Sequence, residues 1–262
     1  MIFKHELKSN LKMFLIWTLI LGLFNFAMLL VYPSLQETMK DMASNFEKMG
    51  DFAVAFGMDK LNIAETIGYY GTYVGVMLSI CGGLFAAMIG CGILAKEEGG
   101  HTVEYLFTLP YSRLQIVLQK IGAVVVLIIA FDVINFFLCQ VGLLAIGADE
   151  VSFKSLVIYH IAQMLFHLEV AFIGVLISAC TKKVNLGIGL GIALILYFMD
   201  MMSRIIDKID FFKYITPYYY ANAADVLVKN EIDPLLLTIG SIIGIGCLVG
   251  GSLVYIKRDL AA

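Results

Sequence analysis

Residues 121–147 read IGAVVVLIIAFDVINFFLCQVGLLAIG, and in that run Asp132 is the one charged side chain. An α-helix rises about 1.5 Å per residue, so roughly 20 such residues cover the roughly 30 Å hydrocarbon layer of a bilayer. Working outward, five more blocks of this kind appear, at about 13–32, 70–95, 156–180, 184–202 and 235–256. The composition agrees: 60% of residues are hydrophobic and 15% charged, where a globular chain is about half apolar and a quarter charged. A chain of 262 residues is long enough to bury a soluble core, but here the apolar residues come in span-length blocks instead of core spacing. The expectation is an all-α, polytopic membrane protein with six transmembrane helices in a single domain over residues 1–262.

Several classes drop out. The net charge of −3 and the lack of a basic cluster interleaved with aromatics speak against a nucleic-acid partner. Cys81, Cys91, Cys139, Cys180 and Cys247 all fall in apolar blocks, with no CxxC pair, so neither a disulfide framework nor a metal site is expected. The first apolar run is too long for the core of a signal peptide, so that span is expected to stay in the protein. The connector Thr181-Lys182-Lys183 is short enough to force the fourth and fifth spans into an antiparallel hairpin. With six spans, one side collects Lys4, Lys8, Lys12, Lys96, Arg113, Lys120, Lys182, Lys183, Lys257 and Arg258. Basic residues stay inside, which places both termini in the cytoplasm and the protein in the cell membrane.

Outside the spans, Phe3, Leu7, Leu11 and Phe14 form one helical stripe beside Lys4, Lys8 and Lys12. That pattern predicts an N-terminal interfacial helix with its lysines at anionic lipid headgroups, against the plainer reading of an extension of the first span. Leu35, Met39, Met42, Phe46 and Met49 predict an amphipathic helix in the large outer loop, packed on the outer ends of the spans. Tyr214, Pro217, Tyr218, Tyr219 and Tyr220 read as an interfacial aromatic belt, with a gate or port as the sharper alternative. Paired glycines at Gly71 and Gly75, Gly187 to Gly191, Gly240 and Gly244, and Gly246 and Gly250 suit close helix packing.

The stretch after the second span is different. It runs Lys96-Glu97-Glu98-Gly99-Gly100-His101-Thr102-Val103-Glu104-Tyr105-Leu106-Phe107-Thr108-Leu109-Pro110-Tyr111-Ser112-Arg113. Gly99 and Gly100 break one helix, a short one is expected from 102 to 108, Pro110 cannot continue it, and Ser112 is placed to cap the next. Val103, Leu106 and Phe107 share one face, with Glu104 and Thr108 opposite. A bare turn needs only a few residues, whereas a short amphipathic helix held under the membrane suits docking to a soluble partner.

On these residues the chain resembles the ABC-2 type permeases, membrane subunits of bacterial ABC exporters whose ATPase is a separate chain. Glu97-Glu98, Thr102-x-Glu104-x-Leu106, Leu109-Pro110-x-Ser112-Arg113 and Lys120 carry the likeness, with the Tyr255–Leu260 tail and Thr216-Pro217 as weaker points. The resemblance implies that segment 97–113 holds a cytoplasmic coupling helix. Glu97, Glu98, Thr102, Glu104, Leu106, Leu109, Pro110, Ser112 and Arg113 would then meet the ATPase. One departure stands at His101, where many members have glycine. The sequence has no GxxxxGK[ST] phosphate loop, so ATP and Mg belong on the partner and no cofactor or catalytic residue is expected on this chain. The remaining partners implied are a second permease copy, identical or related, and membrane lipids.

Polar groups at membrane depth are costly and open a functional reading by default. Asp132 and Asn135 share a face of the third span; His160, Gln163 and His167 make a stripe on the fourth, with Glu169 pointing roughly the other way. Asp132 and His167 are expected to pair, either as a structural interhelical bond or as part of a pathway wall. Asp200 is expected to reach water at the outer end of the fifth span. The histidine spacing does not match HExxH, and neither EExxxR nor GxSG occurs, which speaks against a metalloenzyme or an intramembrane protease. The function expected is ATP-driven export of a hydrophobic or amphipathic cargo, such as a peptide, antibiotic or lipid-like molecule. The alternatives are a stand-alone proton-coupled transporter using Asp132, His167 and Glu169, and a non-transporting scaffold or sensor that recruits an ATPase.

Overall fold

The computed structural model describes residues 1–46, 50–55 and 57–258. Met49, Asp259 and Leu260 lie outside it, as do the side chains of Phe46 and Phe107. The elements run α1 (Ile2–Phe46), α2 (Asp51–Ala55), α3 (Thr66–Tyr69), a π-helical turn (Tyr70–Gly75), α4 (Val76–Ile93), α5 (Lys96–Gly99) and α6 (Val103–Thr108). Then come α7 (Arg113–Ala145), α8 (Phe153–Cys180), α9 (Leu186–Ile205), a 3-10 segment (Asp207–Tyr214), α10 (Ala223–Lys229) and α11 (Pro234–Lys257). Six stretches are long and apolar enough to cross a membrane, Ile2–Ala43, Thr66–Ile93, Arg113–Ala145, Phe153–Cys180, Leu186–Ile205 and Pro234–Lys257. All six expected spans are present, and no strand occurs among the described residues.

Helix α8 is the hub, packed against α4 on one side and α11 on another, while α1 lies along α7 and α9 leans on α4. The α4–α8 contact is close because both helices give up side chains there. A Cβ on Gly90 would stand 2.2 Å from the Ala171 carbonyl oxygen, and one on Gly174 would stand 2.9 Å from the Cys91 nitrogen. Lipid offers no hydrophobic drive between helices, so such backbone approach and the dispersion it gains hold the bundle together. Phe85 and Phe131 stack at 4.6 Å between α4 and α7. Large apolar side chains such as Ile20, Phe137, Phe198 and Ile242 are left exposed on the outside, as lipid contact requires.

Five expectations are corrected. The N-terminal stretch is helical but is no separate interfacial helix, because α1 continues from Ile2 without a break and its first turns are tied to α7. Its buried stripe is Ile2, Glu6 and Phe14, whereas Leu11 is exposed. The outer-loop helix is likewise the far end of α1, carried through Pro33, where the helix forgoes a ladder bond. Met39 does pack there against the cluster of Tyr32, Ile63 and Tyr69, as expected. The fourth and fifth spans form a short turn but not a packed pair, since α9 finds its partner in α4.

The aromatic segment is not a surface belt. Thr216, Tyr218 and Tyr220 are buried, with Thr216 donating to the Leu196 carbonyl at 2.8 Å and Tyr218 packed on Phe166 at 4.3 Å. From Thr216 on, the chain dips back into the bundle because Tyr218 and Tyr220 have a ring or an acceptor waiting inside, whereas Tyr214 stays exposed at the surface as expected. Asp200 is buried as well, bonded to Arg204 at 3.0 Å. An arginine four residues on, inside the same helix, takes the place of water.

Candidate functional site

Segment 96–113 folds much as its residues dictate. Leu94 and Ala95 end α4 by donating their amides to the Ser178 hydroxyl, each at 2.9 Å. The short α5 stops at Gly100, and His101 turns the chain with φ +54°. This is the left-handed region, where a Cβ costs about 1–2 kcal/mol. Helix α6 follows, Leu109 is extended ahead of Pro110, and Ser112 caps α7 in a capping box with Gln115. His101→Gly is expected to stabilise the protein by about 0.5–1 kcal/mol, the relieved strain exceeding the added chain entropy. Thermal unfolding in detergent measures it, and an unchanged or lower midpoint would contradict the strain argument.

Two ionic nodes strap this segment to the bundle. In the first, fully buried Lys120 of α7 donates to Glu6 of α1 at 2.7 Å, to the Ile93 carbonyl at 2.9 Å and to Glu97 of α5, while Lys96 also bonds Glu6. In the second, Arg258 bonds Glu98 and the carbonyls of Ala179 and Thr181, and Arg113 donates to the carbonyls of Ile256 and Arg258. The nodes thus bind α5 to α1 and α7 on one side and to α8 and α11 on the other. Charges buried this way are tolerable only because each carboxylate meets a cation at hydrogen-bond range.

The structure sorts the expected contact residues into two groups. Glu104, Thr102, Thr108, Pro110 and Ser112 are exposed. Leu106 is buried against Ile2 and Ile116, with Leu109 and Tyr111 beside it, and Glu97 and Glu98 are buried in the nodes. Val103 and Leu106 of the apolar face of α6 are therefore buried by the chain itself. Tyr105, 71% exposed, stands beside Glu104 on the free face and was missed. Its signal was its place between two polar positions. Glu6 was missed too, hidden in a lysine-rich stretch. Beside α6 lies a cavity of about 420 Å³ lined by Met1, His5, Ser9, Lys96, Thr102 and Tyr105 among others.

The intramembrane polar residues do not converge. His167 and Asp132 pair at 2.8 Å across α8 and α7. His160 bonds Tyr70 at 2.6 Å, and Gln163 reaches the Ala221 carbonyl at 2.7 Å and accepts from Ser79 at 3.2 Å. Asn135 donates to the Phe131 carbonyl of its own helix at 2.8 Å. Glu169 points away towards α11, where it accepts from Tyr220 at 3.1 Å. Apart from Asn135, which bonds its own helix, each group reaches a neighbouring element through at least one atom, the pattern of interhelical fasteners, while Oε1 of Glu169, Oδ2 of Asp132 and Nε2 of His167 are left without a bond.

At the opposite end of the bundle a third node joins Asp200, Arg204, Asp225 and Lys60. Arg204 bonds Asp200 at 3.0 Å, Asp225 at 2.7 Å and the Tyr219 carbonyl at 3.1 Å, and Lys60 bonds Asp225 at 2.8 Å. Burial pushes the Asp225 carboxyl up, but Arg204 and Lys60 outweigh it and hold it below the usual carboxylate range.

A comparison with curated proteins gave no match. A family model described as ABC-2 family transporter protein matches residues 1–256, nearly the whole of a six-span chain with a strapped helix at the face that carries its termini. The chain therefore belongs to the ABC-2 transporter family, as a membrane-embedded, non-catalytic component of an ABC transporter.

Proposed function

We propose that this chain is the permease subunit of an ATP-driven exporter, moving a hydrophobic or amphipathic cargo out of the cell. It works with a cytosolic ABC ATPase, which holds ATP and Mg, and with a second permease copy. The face with the termini and α6 is cytoplasmic in this reading, in keeping with the lysines and arginines gathered there.

The observation that carries the proposal is α6 itself, a short helix whose Leu106 is spent on Ile2 and Ile116 and whose outward side offers Glu104, Tyr105 and Thr108. An exposed aromatic beside a charge, on a rigid support, is the usual make-up of an interface anchor. Because the two nodes tie α5 to α1, α7, α8 and α11, a push on α6 from a closing ATPase dimer would move those four spans together. A proton-driven mechanism asks for one relay through Asp132, His167 and Glu169, yet Glu169 faces a different neighbour from the other two.

Purification in mild detergent is expected to retain the ATPase. Tyr105→Ala combined with Glu104→Lys should lower its recovery at least tenfold, while the variant keeps the unfolding midpoint of the parent protein. Recovery unchanged by that pair would show that α6 is not the docking element, and labelling of a cysteine at position 105 from outside intact cells would overturn the orientation.

A further inference from the structure

Six carboxyl side chains are buried among the described residues: Glu6, Glu97, Glu98, Asp132, Glu169 and Asp200. Five of them face a basic side chain. Lys120 serves Glu6 and Glu97, Arg258 serves Glu98, His167 serves Asp132 and Arg204 serves Asp200. Glu169 meets only a phenol. Its Oε2 accepts from Tyr220, and its Oε1, buried, has no hydrogen-bond partner in the structure. A buried carboxyl without a cation is expensive, and at membrane depth it marks a site that expects one.

The surroundings of Glu169 fit an incoming ligand. On α11 it faces Gly240 and Gly244, and a Cβ on Gly240 would stand 2.5 Å from Oε2, so side-chain-free backbone forms that wall. Directly beyond Tyr220 lies a cavity of about 330 Å³ at the end of the bundle away from the termini. Tyr214, Tyr219, Tyr220, Val226 and Leu236 line it, with the side chains of Lys60, Lys213 and Lys229 balanced by Asp225, Glu231 and Asp233. Lys60 and Lys213 are already tied to Asp225 and Asp210. A cavity walled by tyrosines and leucine, neutral at its rim, with an uncompensated carboxyl behind one of those tyrosines, suits an organic cation with apolar bulk. Tyrosine faces attract such a cation before it reaches the carboxylate.

We propose that Glu169, with Tyr220 as its cover, is a binding site for the cationic group of an amphipathic ligand. The positive head displaces the Tyr220 hydroxyl from Oε2 and takes both carboxylate oxygens, while the apolar part stays in the cavity. This deepens the export reading by giving the cargo a charge, and it rests on that reading only for the ligand being cargo.

The test is equilibrium binding of tetraphenylphosphonium, a bulky lipophilic cation, to the full-length protein in lipid nanodiscs without any ATPase. Saturable binding is expected, weakened at least tenfold by Glu169→Gln and less by Glu169→Asp. Triphenylphosphine oxide, uncharged and similar in shape, should compete poorly and should bind the parent and Glu169→Gln alike. The unfolding midpoint of each variant confirms that it is folded, and Glu169→Asp decides if Glu169→Gln is not. Absence of saturable binding, affinity within twofold after Glu169→Gln, or equal binding of the neutral compound overturns the proposal. ATPase recovery is read separately, so failure here leaves the docking result standing, and the reverse holds too.

Discussion

Lys120→Met is expected to destabilise the protein by about 3–5 kcal/mol, the usual loss when one partner of a buried ion pair is removed. Lys120 is wholly buried and is the cation that Glu97 meets, while Glu6 keeps only Lys96 once Lys120 is gone. Methionine fills much the same volume, so the loss reports charge and hydrogen bonding more than packing. Two buried carboxylates would then stand close without the cation they share, and the Ile93 carbonyl would lose its donor. Unfolding in detergent, followed by thermal or denaturant titration, measures the effect. Adding Glu97→Gln to the same variant should recover part of the loss, because it removes the charge left unpaired. A double variant no better than the single one would mean that Lys120 acts through packing and not through Glu97.

Arg204→Met should have an effect of similar size, about 3–5 kcal/mol, at the other end of the molecule. Arg204 joins Asp200, Asp225 and the Tyr219 carbonyl, and its guanidinium lies 4.1 Å from the Tyr219 ring centre. Its removal leaves Asp200 buried without a cation and takes away one of the bonds that hold the re-entrant tyrosine segment to α9, the one from Thr216 to Leu196 remaining. The pH dependence gives a second reading. Because the folded Asp225 carboxyl titrates below the usual range, its contribution to stability is complete above the ordinary aspartate pKa of about 4 and is lost as pH falls through the lower folded value. Without Arg204 that depression shrinks, so the acid loss of stability from Asp225 should be smaller in the variant and should finish at higher pH, its onset near about pH 4 being set by the unfolded chain. A parallel acid limb in both proteins would show that Arg204 does not set the Asp225 titration.

Much of this was legible from residues alone. Spans follow from block length, because backbone in lipid must satisfy its own hydrogen bonds and so becomes helix. The breaks at Gly99-Gly100 and Pro110 and the Ser112 cap are local effects, and the structure has them where the residues placed them. The pairing of Asp132 with His167 was foreseen because mid-membrane polar groups on neighbouring spans have few other choices. What was not legible depended on which helix lies beside which. Leu106 reads as a docking residue until Ile2 and Ile116 are seen to cover it. Asp200 reads as wetted until Arg204 turns out to fold back along the same helix.

By itself, then, the sequence determined that the protein is a six-span helical membrane protein, that a short helix follows the second span, and that both termini share a face. These are consequences of local hydrophobicity and backbone geometry, felt over one or two turns. Only the tertiary structure decided that Glu6, Glu97 and Lys120 form one node, that Tyr105 and not Leu106 faces outward, and that Glu169 alone among the buried carboxyls of the described residues lacks a base. Those facts join residues up to 114 positions apart or depend on a neighbour's surface, and a charge in a low-dielectric interior is defined by what packs against it, not by its place in the chain.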